Sequence, residues 1–134
     1  MIEKILKKLI SFKTVTLNYQ ENKKALNWIE DQIKHLPLYF RKLTSQKFPS
    51  LLITTQKTKS PFLWLVAHLD VVPAKKEMFI PKIKKGRLYG RGAFDMKFAI
   101  ACYLTLLKDL SENLRNYNFG IMITTDEEKG GFHG

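Results

Sequence analysis

The stretch Phe62-Leu-Trp-Leu-Val-Ala-His-Leu-Asp-Val-Val-Pro73 constrains the fold of this chain more than any other. Phe62 to Ala67 is apolar without a break, and His68 and Asp70 follow at its end. Pro61 and Pro73 leave too little room for a helix, so the stretch predicts a short strand buried on both faces, inside an α/β sheet. Ligand-binding residues of open α/β sheets gather beyond the carboxyl ends of the strands. His68 and Asp70, two positions apart, share one side of the chain. A carboxylate that hydrogen-bonds one imidazole nitrogen leaves the other free to hold a metal. Taken alone, the pair is more readily read as a polar strand end with a solvated histidine.

At 134 residues the chain is at most one domain, long enough for a core but short for a whole enzyme. Its 23 basic residues against 12 acidic ones give a charge of +11, which raises nucleic acid or an acidic membrane as partners. The lysines, however, are scattered in pairs (Lys7-Lys8, Lys23-Lys24, Lys75-Lys76, Lys84-Lys85) and are not interleaved with aromatics in a base-stacking pattern. Solvated lysine faces are the simpler reading. The single cysteine, Cys102, rules out an internal disulfide and suits a reducing compartment. Its apolar helical surroundings predict a buried core thiol. Lysines at 4, 7 and 8 interrupt any signal-peptide core, and no apolar run reaches the length of a membrane span. The expected location is the cytoplasm.

Ile2, Ile5, Leu6, Leu9 and Ile10 recur at helical spacing and predict an amphipathic first helix ending near Ser11. After a loop over 11–18, a second helix is expected from Gln20 to Leu36, stopped by Pro37. Leu38–Lys42 and Leu51–Thr55 read as neighbouring strands. Lys75–Lys85 reads as a basic loop. A helix from Met96 to Leu110 is apolar on every side in its first half and should be deeply buried there. Asn118–Thr124 is a further strand, with Asp126-Glu127-Glu128 at its carboxyl end.

Five of the twelve acidic residues, Asp70, Asp95, Asp126, Glu127 and Glu128, thus fall in three short segments at element ends. In so basic a chain this clustering asks for a cation, and carboxylates with imidazole are zinc and manganese ligands. Asp95 opens a helix, where it also suits an N-cap. Arg91 and the glycines around it fit neither nucleotide-binding fingerprint and read as a tight backbone bend. Glu127 and Glu128 repel each other unless a cation or proton intervenes. Alternation sends them in different directions, so one can bind a metal while its neighbour reaches water; an acidic turn would explain them as well.

Ala67-His-Leu-Asp-Val-Val-Pro-Ala74, Gly86-Arg-Leu-Tyr-Gly-Arg-Gly-Ala-Phe-Asp-Met-Lys97 and Thr124-Thr-Asp-Glu-Glu-Lys-Gly-Gly-Phe-His-Gly134, in this order, resemble the aminoacylase/carboxypeptidase family of two-zinc metallopeptidases. That group includes acetylornithine deacetylase, succinyl-diaminopimelate desuccinylase and glutamate carboxypeptidase. The resemblance implies a three-layer α/β/α sandwich around a mostly parallel mixed sheet. Residues 1–134 would be the amino-terminal part of the catalytic domain, without the lid domain or the carboxyl-terminal part. It implies that His68 binds one metal, that Asp70 orients it, that Asp95 bridges both metals, that Glu128 binds the other, and that Glu127 is the general base. It also implies a cis peptide after Asp95. The cofactor would be Zn2+, two per complete site, with Co2+ or Mn2+ as substitutes.

The implied reaction is hydrolysis of an amide bond in a small peptide or N-acyl amino acid, with neither nucleic acid nor membrane as partner. A further carboxylate and a further histidine ligand, known in complete members, have no counterpart here, so these residues alone are expected to be inactive. His133 matches no ligand position and reads as a surface or turn residue. His35 reads as a helix-end histidine. Phe98 replaces a small residue. The rival readings are a truncated or degenerate relative without turnover and, less favoured, a basic nucleic-acid-binding module. Substrate identity and oligomeric state stay open.

Overall fold

A computed structural model describes residues 1–133. The elements run α1 (Ile2–Ser11), α2 (Tyr19–Asp31), β1 (Tyr39–Ser45), β2 (Phe48–Thr54), β3 (Leu63–His68), β4 (Lys82–Lys84), β5 (Arg87–Tyr89), α3 (Lys97–Leu110) and β6 (Phe119–Thr124). The main sheet has the order β1-β2-β6-β3, and β4 with β5 forms a separate two-stranded ribbon.

The sheet is mixed, as expected, but it is not mostly parallel within these residues: β1–β2 and β2–β6 are antiparallel, and only β3–β6 is parallel. The connections explain this. β1 and β2 are joined through Gln46 and Lys47, both at positive φ (44° and 79°), and a two-residue turn of that kind can only return the chain antiparallel. β3 and β6 are separated by the long crossover that includes α3, which parallel pairing requires.

Leu51 and Ile53 of β2, Phe119, Ile121 and Ile123 of β6, and Ala67 of β3 form one face of the sheet and share a core with Leu9 and Ile10 of α1, Ile29 of α2 and Ile100 and Leu104 of α3. The helices therefore pack on that face. The opposite face shows Leu52, Trp64, Val66 and Met122 with no helix of the described residues over them. This is one helical layer of the expected sandwich.

It also corrects the reading of β3 as buried on both faces: Leu63 is 52% and Val66 51% exposed, because β3 is an edge strand with one face uncovered. A cleft lined by Tyr39, Leu52, Lys57 and Trp64 opens on that face, near the end of β3 remote from His68.

Three other expectations need correction. α2 ends at Asp31, not Leu36: the N–H groups of Ile33 and Leu36 reach back only three residues, to Glu30 and Ile33, as the chain tightens ahead of Pro37. The basic loop contains a 3-10 turn (Lys76–Phe79) and then β4, which Lys85 and Gly86, both in the left-handed region, turn into β5. The first half of α3 is buried on one side only. Ile100, Leu104 and Leu107 face the core, whereas Phe98, Cys102 and Leu106, four residues apart, form an exposed stripe. Cys102 is therefore not a core thiol.

Candidate metal centre

The parallel pairing of β3 and β6 builds the site. His68 lies opposite Thr124 in register, so both strands deliver their carboxyl ends to the same edge. Asp70 follows β3 there, and Glu127 and Glu128 follow β6 in a 3-10 turn. The crossover brings Asp95, just ahead of α3, to the same place. The Asp95–Met96 peptide is cis. Gly92 allows the approach: its φ is +78°, and a side-chain carbon on it would stand 2.9 Å from Val71. Backbone bending is thus the observed role of this glycine, and Asp95 does not serve as an N-cap: Met96 holds that position, without a side-chain capping bond.

The His68 ring is buried and held from both sides. Its Nδ1 lies 3.0 Å from the Asp70 carbonyl oxygen and 3.4 Å from Asp70 Oδ1. Its Nε2 faces the opening, 3.1 Å from Asp95 Oδ1 and 3.8 Å from Glu127 Oε2. Burial opposes charge on this imidazole, yet the Asp70 and Asp95 carboxylates outweigh it and raise the pKa to about 9.

Asp70 is fully buried and serves as a hub. Its Oδ1 accepts the Glu127 N–H at 3.2 Å; its Oδ2 accepts the Glu128 N–H at 3.1 Å and the Thr16 hydroxyl at 2.8 Å. Burial works against its ionisation, but these bonds and His68 hold the carboxyl below the usual range. Glu128 is shifted the other way: burial and the neighbouring carboxylates Asp95, Asp70 and Glu127 raise it, with His68 opposing.

Around the hub, the Thr14 hydroxyl donates to Leu69 O at 2.8 Å, and Val15 forms a parallel bridge with Val71. The Thr125 hydroxyl donates to Pro49 O at 2.7 Å. Asp126 is buried, and its Oδ2 accepts the His133 N–H at 2.7 Å. The His133 ring stacks on Phe48 with centroids 5.4 Å apart. His133 is therefore an anchor of the acidic turn and not a free surface residue. His35 lies exposed in the turns after α2.

The residues singled out from the sequence converge: one ligand atom each of His68, Glu127 and Glu128 lies within 4.8 Å of the others, and Asp95 touches His68 directly. Two ligands on a tetrahedral zinc stand about 3.3 Å apart, given bonds of about 2.0–2.1 Å. The 3.1 Å from His68 Nε2 to Asp95 Oδ1 is close to that edge. Three carboxylates facing one imidazole nitrogen make a donor set suited to a divalent cation. Sequence reasoning missed Thr16, which has no signature, and the burial of Lys97, whose only signal was a lysine beside an apolar helical run.

Comparison with known proteins identifies relatives of the chain. The sequence pattern of Peptidase family M20/M25/M40 matches residues 64–134, more than half of the chain. The succinyl-diaminopimelate desuccinylase of Rickettsia canadensis (strain McKiel) is 35% identical over 96% of this chain and 36% of its own length. That of Sulfurovum sp. (strain NBC37-1) is 31% identical over 97% of this chain and 35% of its own. Among solved structures, human carnosine dipeptidase 1 superposes with a TM-score of 0.82 at 19% identity, over 98% of this chain and 33% of that one. The M20 family metallo-carboxypeptidase Sso-CP2 from Sulfolobus solfataricus gives 0.79 at 20%, over 99% and 32%. The chain thus spans about a third of the length of the relatives it matches. A matching fold, a family pattern that covers both β3 and the acidic turn, and a converged donor set make this chain a member of peptidase family M20/M25/M40.

Proposed function

We propose that the chain carries the metal-binding part of a hydrolase that cleaves an amide bond in an N-acyl amino acid or a small peptide. The observation that carries this is the meeting of His68 Nε2 with the carboxylates of Asp95, Glu127 and Glu128 at the carboxyl edge of the sheet. His68 and Asp95 would hold one metal, Asp95 and Glu128 the other. Zinc is the metal proposed, with cobalt or manganese as substitutes, and it would supply Lewis-acid polarisation of the amide carbonyl and acidification of a water. Asp70 holds the imidazole by its Nδ1 side, so that Nε2 points to the opening. Glu127, beside Nε2 and more than half exposed at its side chain, would take a proton from water and return it to the leaving amine. The names of the curated relatives favour an N-acyl amino acid over a long peptide.

Within these residues each metal would have two protein ligands, whereas catalytic zinc sites typically use three. The chain is therefore proposed to be the amino-terminal part of the catalytic domain and inactive by itself. A degenerate relative that keeps the fold without turnover is the alternative. A cytoplasmic setting is proposed from the single cysteine; no helix of the described residues is long and apolar enough to cross a membrane. The deciding experiment is a zinc titration of the purified chain, followed by the same titration of His68→Gln. Saturable binding that His68→Gln weakens supports the metal centre; equal binding by both chains would refute it.

A further inference from the structure

Lys97 is a titratable side chain that the proposed chemistry leaves without a task. It is fully buried, and its Nζ donates to the carbonyl oxygens of Leu9 and Phe12, each at 2.9 Å. Those acceptors lie at the carboxyl end of α1, where carbonyls lack helical partners and the helix dipole favours a cation. Stability alone does not call for it, because a well-packed apolar side chain commonly serves a buried position as well as an ion does. α3 already has Ile100, Leu104 and Leu107 to hold it against the core.

Two further observations give Lys97 a direction. First, the segment it grips continues into the residues that hold the other arm of the site. The Thr14 hydroxyl donates to Leu69 O, Val71 N–H donates to Thr14 O at 2.9 Å, and the Thr16 hydroxyl donates to Asp70 Oδ2. Second, Lys97 closes the loop on which Asp95 rides. Its own N–H donates to Gly92 O at 2.9 Å, and a side-chain carbon on Gly92 would stand 3.0 Å from Lys97 Cδ. Asp95 is thus suspended between two points that Lys97 ties together, and the ammonium ties both to residues 9–12.

We propose that Lys97 is a positioning residue: it fastens the Asp95 loop to the same strap, Leu9–Thr16, that grips Asp70, and so sets the separation of the Asp95 and His68 side chains. The proposal rests on the metal-centre reading above for its consequence, but the positioning itself is a property of the metal-free chain. Removing the ammonium leaves the hydrophobic contacts of α3 in place and frees the loop to drift. A divalent cation, which demands its ligands within about half an ångström, would register that drift.

The test uses the 134-residue chain, Lys97→Met, and Leu107→Ala as a control that destabilises the far half of α3 without touching the site. Zinc affinity is read by competition with a chromophoric chelator, coordination by the visible spectrum of the cobalt-loaded chain, and stability by thermal unfolding. Lys97→Met is expected to lose at least about tenfold in zinc affinity and to change the cobalt spectrum. Leu107→Ala is expected to keep both while unfolding at a lower temperature. Equal affinity in parent and Lys97→Met, or an equal loss in the control, overturns the proposal. A crystal structure of each metal-free chain supplies the second readout. The Asp95–His68 contact should be lost in Lys97→Met and kept in Leu107→Ala; a contact kept in Lys97→Met overturns the proposal even if the parent binds no metal. Failure of the parent to bind zinc at all would instead count against the metal-centre reading.

Discussion

The backbone N–H of Glu128 donates to Asp70 Oδ2 at 3.1 Å, across 58 positions of sequence. One buried carboxylate therefore places the turn that carries Glu127 and Glu128 and, through its other contacts, the ring of His68.

The first prediction concerns that hub. Asp70→Asn leaves a single acceptor oxygen for three donors and strands at least one part-buried N–H. A loss of about 3 kcal/mol of stability is expected, with about 1 kcal/mol for Thr16→Val. Urea unfolding of the two metal-free variants measures both; a loss for Asp70→Asn no greater than that for Thr16→Val would contradict the hub.

The second separates the neighbouring glutamates. Glu128→Gln should weaken zinc binding by about 10–100-fold, as loss of a metal-site partner does. Glu127→Gln should leave binding within about threefold, and in a longer chain that also carries the further ligands implied by the family resemblance it should abolish turnover, since an amide cannot accept the proton. Equal metal loss in both variants would show that their roles are confused.

The third is a pH dependence of the metal-free chain. His68 is raised from 6.5 to about 9, so its stabilising contribution is complete below pH 6.5 and is lost as pH rises through about 9. Lys97 has the opposite slope: burial lowers it to about 7, Glu21 opposing, so stability is gained between about 7 and 10.5. Comparing the parent with His68→Gln cancels the lysine. The difference in unfolding free energy should shrink between pH 6.5 and 9, and a flat difference would rule out the raised imidazole. Over the same range zinc affinity should rise with pH, because metal and proton compete for one nitrogen.

The fourth is that the chain alone binds zinc loosely and does not turn over. A mild chelator should strip the metal, and a panel of N-acyl amino acids and dipeptides should remain intact. Sustained hydrolysis abolished by Glu127→Gln would show that these residues suffice.

What could be read from the sequence was whatever local chemistry dictates. Pro61 and Pro73 bracket β3, and a strand end is where an α/β sheet places its ligands, so His68, Asp70 and the acidic turn were legible. Elements decided by neighbours were not. The outer stripe of α3, Phe98-Cys102-Leu106, is as apolar as a core face, and only packing reveals that nothing in the described residues covers it. β4 and β5 have three residues each, too short for alternation to show; the Lys85-Gly86 turn was their one signal. Thr16 reaches Asp70 across 54 positions, a distance that no local pattern encodes.

The strand order has a consequence for how the molecule comes into being. Among the described residues β6 is the last strand to be synthesised, and it lies between β2 and β3. Until it has been synthesised, the β1–β2 hairpin and β3 share no ladder, and neither has a hydrogen-bonded partner on its inner side. A ribosome must therefore deliver residues up to Thr124 before the sheet can close. The nascent chain spends that interval with two open strand edges, a state in which chaperone contact or misassembly competes with folding.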